Sequence, residues 1–118
     1  MTNLKTAIPV LFLLILPNLA TPARADDFAQ KHPRRAEVIK RDRKLKNETK
    51  NALNSGKITG RQANRLEKEE NGIRKQERAD ARADGGHITK GEQRQLNREE
   101  NHVKRQLNRD ERRDAATN

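Results

Sequence analysis

SGKITGRQANRLEKEENGIRKQ, residues 55–76, and GGHITKGEQRQLNREENHVKRQ, residues 85–106, are two copies of one unit set thirty residues apart. From Ile58 to Gln76 the first copy aligns without a gap on Ile88 to Gln106. Ile58/Ile88, Thr59/Thr89, Leu66/Leu96, Glu69/Glu99, Glu70/Glu100, Asn71/Asn101 and Gln76/Gln106 are identical, and Ile73/Val103, Arg74/Lys104, Lys75/Arg105 and Gln62/Glu92 are conservative. A period of this length belongs to helical supersecondary repeats.

The unit has local punctuation. Gly56 and the pair Gly85-Gly86 are helix stops, because glycine enters the left-handed region without a β-carbon penalty. Thr59 and Thr89 are helix starts: with Gln62 and Glu92 three residues on, each forms the pattern of a capping box. Within the helices that follow, Leu66 and Ile73 are seven residues apart, as are Leu96 and Val103, and Ala63 and Leu107 extend the same narrow stripe. Glu70/Arg74 and Glu100/Lys104 read as surface charge pairs four apart. Upstream, Pro33 suits a first helical turn, and Val38, Leu45 and Ala52 or Leu53 lie on one side, with Glu37/Arg41 and Asp42/Lys46 outside. The expected fold is all-α: three helices, over 34–54, 60–83 and 90–113, joined by two tight corners around a marginal core.

The ends read differently. Residues 1–25 carry Lys5, an apolar run from Ala7 to Leu16 and an Ala23-Arg24-Ala25 cleavage pattern, the layout of a secretory signal peptide. Pro9 and Pro17 hold that run far below the roughly 20 apolar residues of a membrane span. Residues 26–33 are expected as a flexible N-terminal segment, 34–113 as the helical repeat domain and 114–118 as a disordered tail. The protein is therefore expected to be exported, periplasmic or secreted. Cysteine is absent, which excludes disulfides and thiolate metal sites.

Removing Lys5 and Arg24 with the leader leaves 25 basic residues against 17 acidic ones, a net charge of +8 that favours anionic partners. Large apolar residues number twelve in the mature chain: Phe28, Val38, Ile39, Leu45, Leu53, Ile58, Leu66, Ile73, Ile88, Leu96, Val103 and Leu107. So few exclude a large enzyme-like core. The narrow stripes also admit a homodimer.

Two windows, Asn51–Gln62 and Ala81–Glu92, resemble EF-hand loops, with glycine at the sixth place, threonine at the ninth and Gln or Glu at the twelfth. The resemblance implies paired corners whose central residues, Ile58 and Ile88, exchange a short β-bridge. The calcium places depart from the pattern. They hold Asn51, Leu53, Ser55 and Gln62 in one window and Ala81, Ala83, Gly85 and Glu92 in the other, so a single carboxylate stands where calcium needs clustered oxygens.

Ile58-Thr59-Gly60-Arg61-Gln62 also resembles the LTxxQ signature of Spy- and CpxP-type periplasmic chaperones, with Ile in place of Leu and with Glu92 in the glutamine place of the second copy. From the HPRRAEV stretch at His32–Val38 through GGHITK to the spacing of Leu96, Asn97, Glu100 and Asn101, the chain resembles a family of small exported bacterial proteins without an assigned activity.

Catalytic patterns are lacking. His32, His87 and His102 stand far apart, without the three- or four-residue spacing of a helical zinc pair. Asp84, His87 and Glu92 are the one cluster to test for copper or zinc, although no metal or cofactor is expected. Glu69/Glu70 and Glu99/Glu100 are expected on solvated helix faces, where nothing raises a carboxyl pKa as acid catalysis demands. A single mature aromatic, Phe28, leaves nucleic acid without stacking platforms. The leading expectation is a noncatalytic periplasmic binding protein, stress-related or chaperone-like, holding anionic or unfolded protein clients. The alternatives are an EF-hand-like metal-responsive module and a cationic protein that binds envelope polyanions.

Overall fold

The computed structural model describes residues 23–117, with side chains from Ala25 onward. Most of the expected signal peptide and the last residue of the expected tail lie outside them. Four helices follow in order: α1 (Ala23–Lys31), α2 (Pro33–Asn54), α3 (Gly60–Ala83) and α4 (Lys90–Thr117). The helix expected from 34, 60 and 90 is found in each place. The count of three is corrected to four by α1, which covers part of the segment expected to be flexible. Its Asp27/Lys31 pair at 3.1 Å closes one helical turn, and Phe28 packs on His32 at a ring separation of 5.0 Å. α4 also runs past 113 to Thr117, whose hydroxyl donates to the Arg113 and Asp114 carbonyls.

Side-chain pairs fix the topology. Stepping back along α2 through Thr49, Lys46 and Arg35 steps forward along α3 through Glu70, Asn71 and Glu77, so these helices are antiparallel. Stepping forward along α3 through Gln62, Arg65 and Glu69 steps back along α4 through Asp114, Asp110 and Gln106. Between α2 and α4, Glu37 meets Gln93, Arg41 meets Glu100 and Glu48 meets Lys104, which is parallel. α2, α3 and α4 form an up-down-up bundle, with α1 packed on α2.

The core is a heptad seam. Buried positions are spaced by fours and threes along the three long helices: Val38, Asp42, Leu45, Thr49 and Ala52 in α2; Ala63, Leu66, Glu70, Ile73, Glu77 and Ala81 in α3; Leu96, Glu100, Val103, Leu107 and Asp110 in α4. That spacing is the one that keeps a single stripe against neighbouring helices. Three of the four charge pairs read as external are thereby corrected, and Glu37/Arg41 stays outside. Asp42, Glu70 and Glu100 point into the bundle, because they occupy the seam positions between the seven-residue apolar steps. Leu66 and Leu96 are fully buried, and none of the twelve large apolar side chains is exposed.

Both corners close as read from glycine and threonine. Gly56, at φ +71°, ends α2 in a Schellman motif: its amide donates to Leu53 O at 3.0 Å, and the Lys57 amide to Ala52 O at 2.8 Å. At the other corner the Gly86 amide reaches Ala81 O at 2.7 Å, with Gly85 and Gly86 both at positive φ. Thr59 Oγ1 accepts from the Gln62 amide while Gln62 Oε1 accepts from the Thr59 amide, and Thr89 and Glu92 repeat this. The EF-hand expectation is not met. No strand or bridge occurs among the described residues, and Ile58 and Ile88 are buried at opposite ends of α3, whose 24 residues span about 36 Å. A straight helix shared by both corners keeps them from meeting.

Candidate functional site

The seam carries acid inward on all three long helices. Glu70 and Glu77 are wholly buried, and Asp42, Glu100 and Asp110 nearly so. Each has a partner on a neighbouring helix, and Asp42 and Glu77 have a second on their own. Arg35 on α2 donates its Nε to Glu77 at 2.6 Å, and Arg74 holds the other Glu77 oxygen at 3.0 Å. Arg74 also lies 3.6 Å from Asp42, and Lys46 lies 3.7 Å from the same oxygen. Arg65 holds Asp110 at 2.6 Å. Arg41 donates to Glu100 at 2.8 Å and to Asn101 at 2.7 Å.

Burial outweighs these partners for three of the carboxyls. Asp42, Glu70 and Glu100 each keep one buried oxygen without a hydrogen-bond partner among the described residues. Loss of hydration pushes Asp42 and Glu70 above the usual carboxylate range, against the pull of Lys46 and Arg74 on Asp42 and of the Thr49 hydroxyl on Glu70. Glu100 rises from 4.5 to about 7 for the same reason, although Arg41 pulls the other way. The expectation that no carboxyl here has a raised pKa is thus corrected. Glu100 lines the groove of about 320 Å³ between α2 and α4, together with Arg41, Lys44 and Lys104, yet only 3 % of its side chain is exposed. A molecule in the groove meets Arg41, Lys44, Lys104 and the Glu48 carboxylate paired with Lys104, and not Glu100.

The outer surface has the opposite sign. Twenty Lys and Arg residues are exposed among the described residues, against five carboxylates, Asp26, Asp27, Glu37, Glu67 and Asp84. The remaining acids are half-buried or inside. Partition between seam and surface therefore concentrates positive charge where a partner would meet it, well beyond what the net charge conveys.

The residues singled out for metal are dispersed in their roles. Glu92 caps its own helix by accepting from the Thr89 amide at 2.7 Å, and Asp84 is exposed at the end of α3. His87 faces His32 instead, Nδ1 to Nδ1 at 3.3 Å, 55 residues away in sequence. Arg35 locks that contact by donating to Gly86 O at 3.0 Å and by lying over Phe28 at 5.3 Å. Loss of hydration and the charges of His87, Arg35 and Lys31 lower the His32 pKa. The pairing escaped the sequence because neither histidine has a periodic neighbour; the glycines that turn His87 back onto α2 were its only local trace.

No family model, curated protein or solved structure matches this chain.

Proposed function

We propose that this protein is a noncatalytic, exported, cationic helical binder of envelope polyanions. The observation that carries the reading is the partition of charge: five acids are buried in the bundle seam and seven are half-buried, so an approaching partner meets twenty exposed cations against five exposed carboxylates. Such a surface attracts polyanions by displacing their counterions, with affinity that falls as salt rises.

The chaperone-like reading draws less support. A holder of unfolded clients needs exposed apolar side chains, and the leucines of the repeat, Leu66 and Leu96, are both sealed inside. A metal-responsive module draws less support again, since Glu92, the only carboxylate at a calcium place, serves as a helix cap.

The test is retention of the mature chain on heparin or on immobilised polyphosphate. Between about 0.05 and 0.5 M salt the screening length falls from about 14 Å to about 4 Å. Tight retention at the lower salt and nearly complete release at the higher is the expected result. Passage straight through at low salt would defeat the reading.

A further inference from the structure

We propose that the outer face of α4 is a docking strip for the headgroup phosphates of an anionic lipid surface. The inference rests on the polyanion reading above and adds a place and a partner to it.

Arg94, Arg98, Arg105, Arg109 and Arg112 are all exposed. At 100° per residue they fall within about 60° of one another, directly opposite the seam residues Leu96, Glu100, Val103 and Leu107. The first and last are 18 positions apart, about 27 Å of straight helix. No acidic residue lies on this line; Asn101 fills its longest gap. Among the described residues none of the five forms an ion pair, whereas the arginines flanking the seam, Arg35, Arg41, Arg65 and Arg74, are all engaged. The bundle thus uses one set of guanidinium groups to hold itself together and leaves another set to the outside.

The other two long helices differ on the equivalent line. α2 presents Lys40, Arg43, Asn47, Asn51 and Asn54, and α3 presents Asn64, Lys68, Asn71, Lys75, Ala79 and Arg82. Lysine and asparagine suffice to solvate a helix. A run of arginine alone adds planar forks that grip phosphate oxygens in pairs.

The shape selects a plane over a thread. The strip is the crest of the bundle, farthest from the seam, so a flat surface touches it along its whole length. The adjoining trough of about 600 Å³ between α3 and α4 shares Arg98 and Arg105 but also carries Glu69 and Glu99, which repel a phosphate chain laid along it. No apolar side chain stands on the strip, so contact stops at the headgroups and does not reach the acyl region.

The experiment is co-sedimentation of the mature chain with vesicles of phosphatidylglycerol and phosphatidylcholine, with pure phosphatidylcholine vesicles and soluble polyphosphate alongside. One variant changes Arg94, Arg98, Arg105, Arg109 and Arg112 to Gln; a charge-matched variant changes Lys40, Arg43, Lys68, Lys75 and Arg82 to Gln. All ten sites are exposed, and circular dichroism checks that helix content is kept. The α4 variant is expected to lose at least about 100-fold in affinity for the anionic vesicles, and the matched variant less than about 10-fold. Equal losses would overturn the strip and leave the polyanion reading standing, as would binding of polyphosphate without binding of vesicles. A wild-type chain that binds neither would end both.

Discussion

The Thr49 hydroxyl on α2 donates to Glu70 Oε1 on α3 at 2.7 Å, with 1 % of Thr49 and none of Glu70 exposed. It is the one hydrogen bond that the Glu70 carboxyl makes among the described residues, while its second oxygen has none. Thr49→Val keeps the shape and removes the donor, so it is expected to cost about 1–3 kcal/mol by leaving a buried carboxyl unpartnered. Thr49→Ser should cost less, and Thr49→Val with Glu70→Leu should recover much of the loss, since replacing both partners by apolar groups removes the unmet demand. Denaturant midpoints of the three variants check this. Equal destabilisation by Val and Ser would mean that packing, and not the hydrogen bond, is what matters at this site.

A second expectation concerns pH. Glu100 in the folded chain holds its proton up to about 7, while the unfolded chain releases it near 4.5. Between those values the folded state binds more protons, so stability is greatest at the acid end and declines as pH rises through 7. The raised pKa of Asp42 and of Glu70 acts in the same sense. The full Glu100 shift corresponds to roughly 3 kcal/mol. Glu100→Gln should therefore flatten the melting curve between pH 5 and 8 and leave the variant the more stable of the two at pH 8. A wild-type melting temperature that climbs over that range would contradict the assignment.

His32 works in the opposite direction. Its pKa is lowered in the folded state, so acidification below its ordinary 6.5 protonates the unfolded chain first and weakens the fold. His32→Gln and His87→Gln should each blunt the acid side of the stability profile without altering the alkaline side.

Glycine substitutions should separate by sign. Gly72 lies inside α3 with nothing within 4 Å of an added β-carbon, and Gly72→Ala is expected to stabilise by about 1 kcal/mol. Gly86 has φ +97°, and an added β-carbon would lie 3.4 Å from His32 Cε1, so Gly86→Ala should destabilise by at least a comparable amount. Thermal melts of the two read the difference directly.

The capping boxes yield a local prediction. Thr59→Ala and Thr89→Ala should each cost about 1 kcal/mol and reduce protection from hydrogen exchange in the first turn of α3 and α4 respectively. Unchanged exchange there would show that the caps are not formed in solution.

Helix limits and corners were legible in the sequence because their causes are local. Gly56 and Gly85 accept a left-handed backbone, and Thr59 and Thr89 meet their partners three residues away. The interior was half legible. Leu66, Ile73, Leu96 and Val103 announce a stripe, but an acid placed between two of them reads as a surface residue unless its partner is known. That partner is remote: Arg35 is 42 residues from Glu77, and Arg41 is 59 from Glu100. The charge partition that supports the functional reading follows from those remote pairings, so counting charges along the chain understated it. The arginine strip on α4 was visible as residues but not as a line until the seam fixed which side faces out.

Duplication leaves α3 and α4 as near copies that a folding chain must tell apart. Their inward acids solve this by recognising different companions on α2: Glu70 meets a hydroxyl at Thr49, and its counterpart Glu100 meets a guanidinium at Arg41. One turn-pair further along, Glu77 is matched to Arg35, whereas the equivalent place in the second copy is Leu107. An α4 seated in the slot of α3 would bring Leu107 to Arg35 and strand that cation. The same mismatch would tax an exchange of helices between two molecules, so the buried acids act as seating instructions that an all-leucine seam between twin helices could not supply.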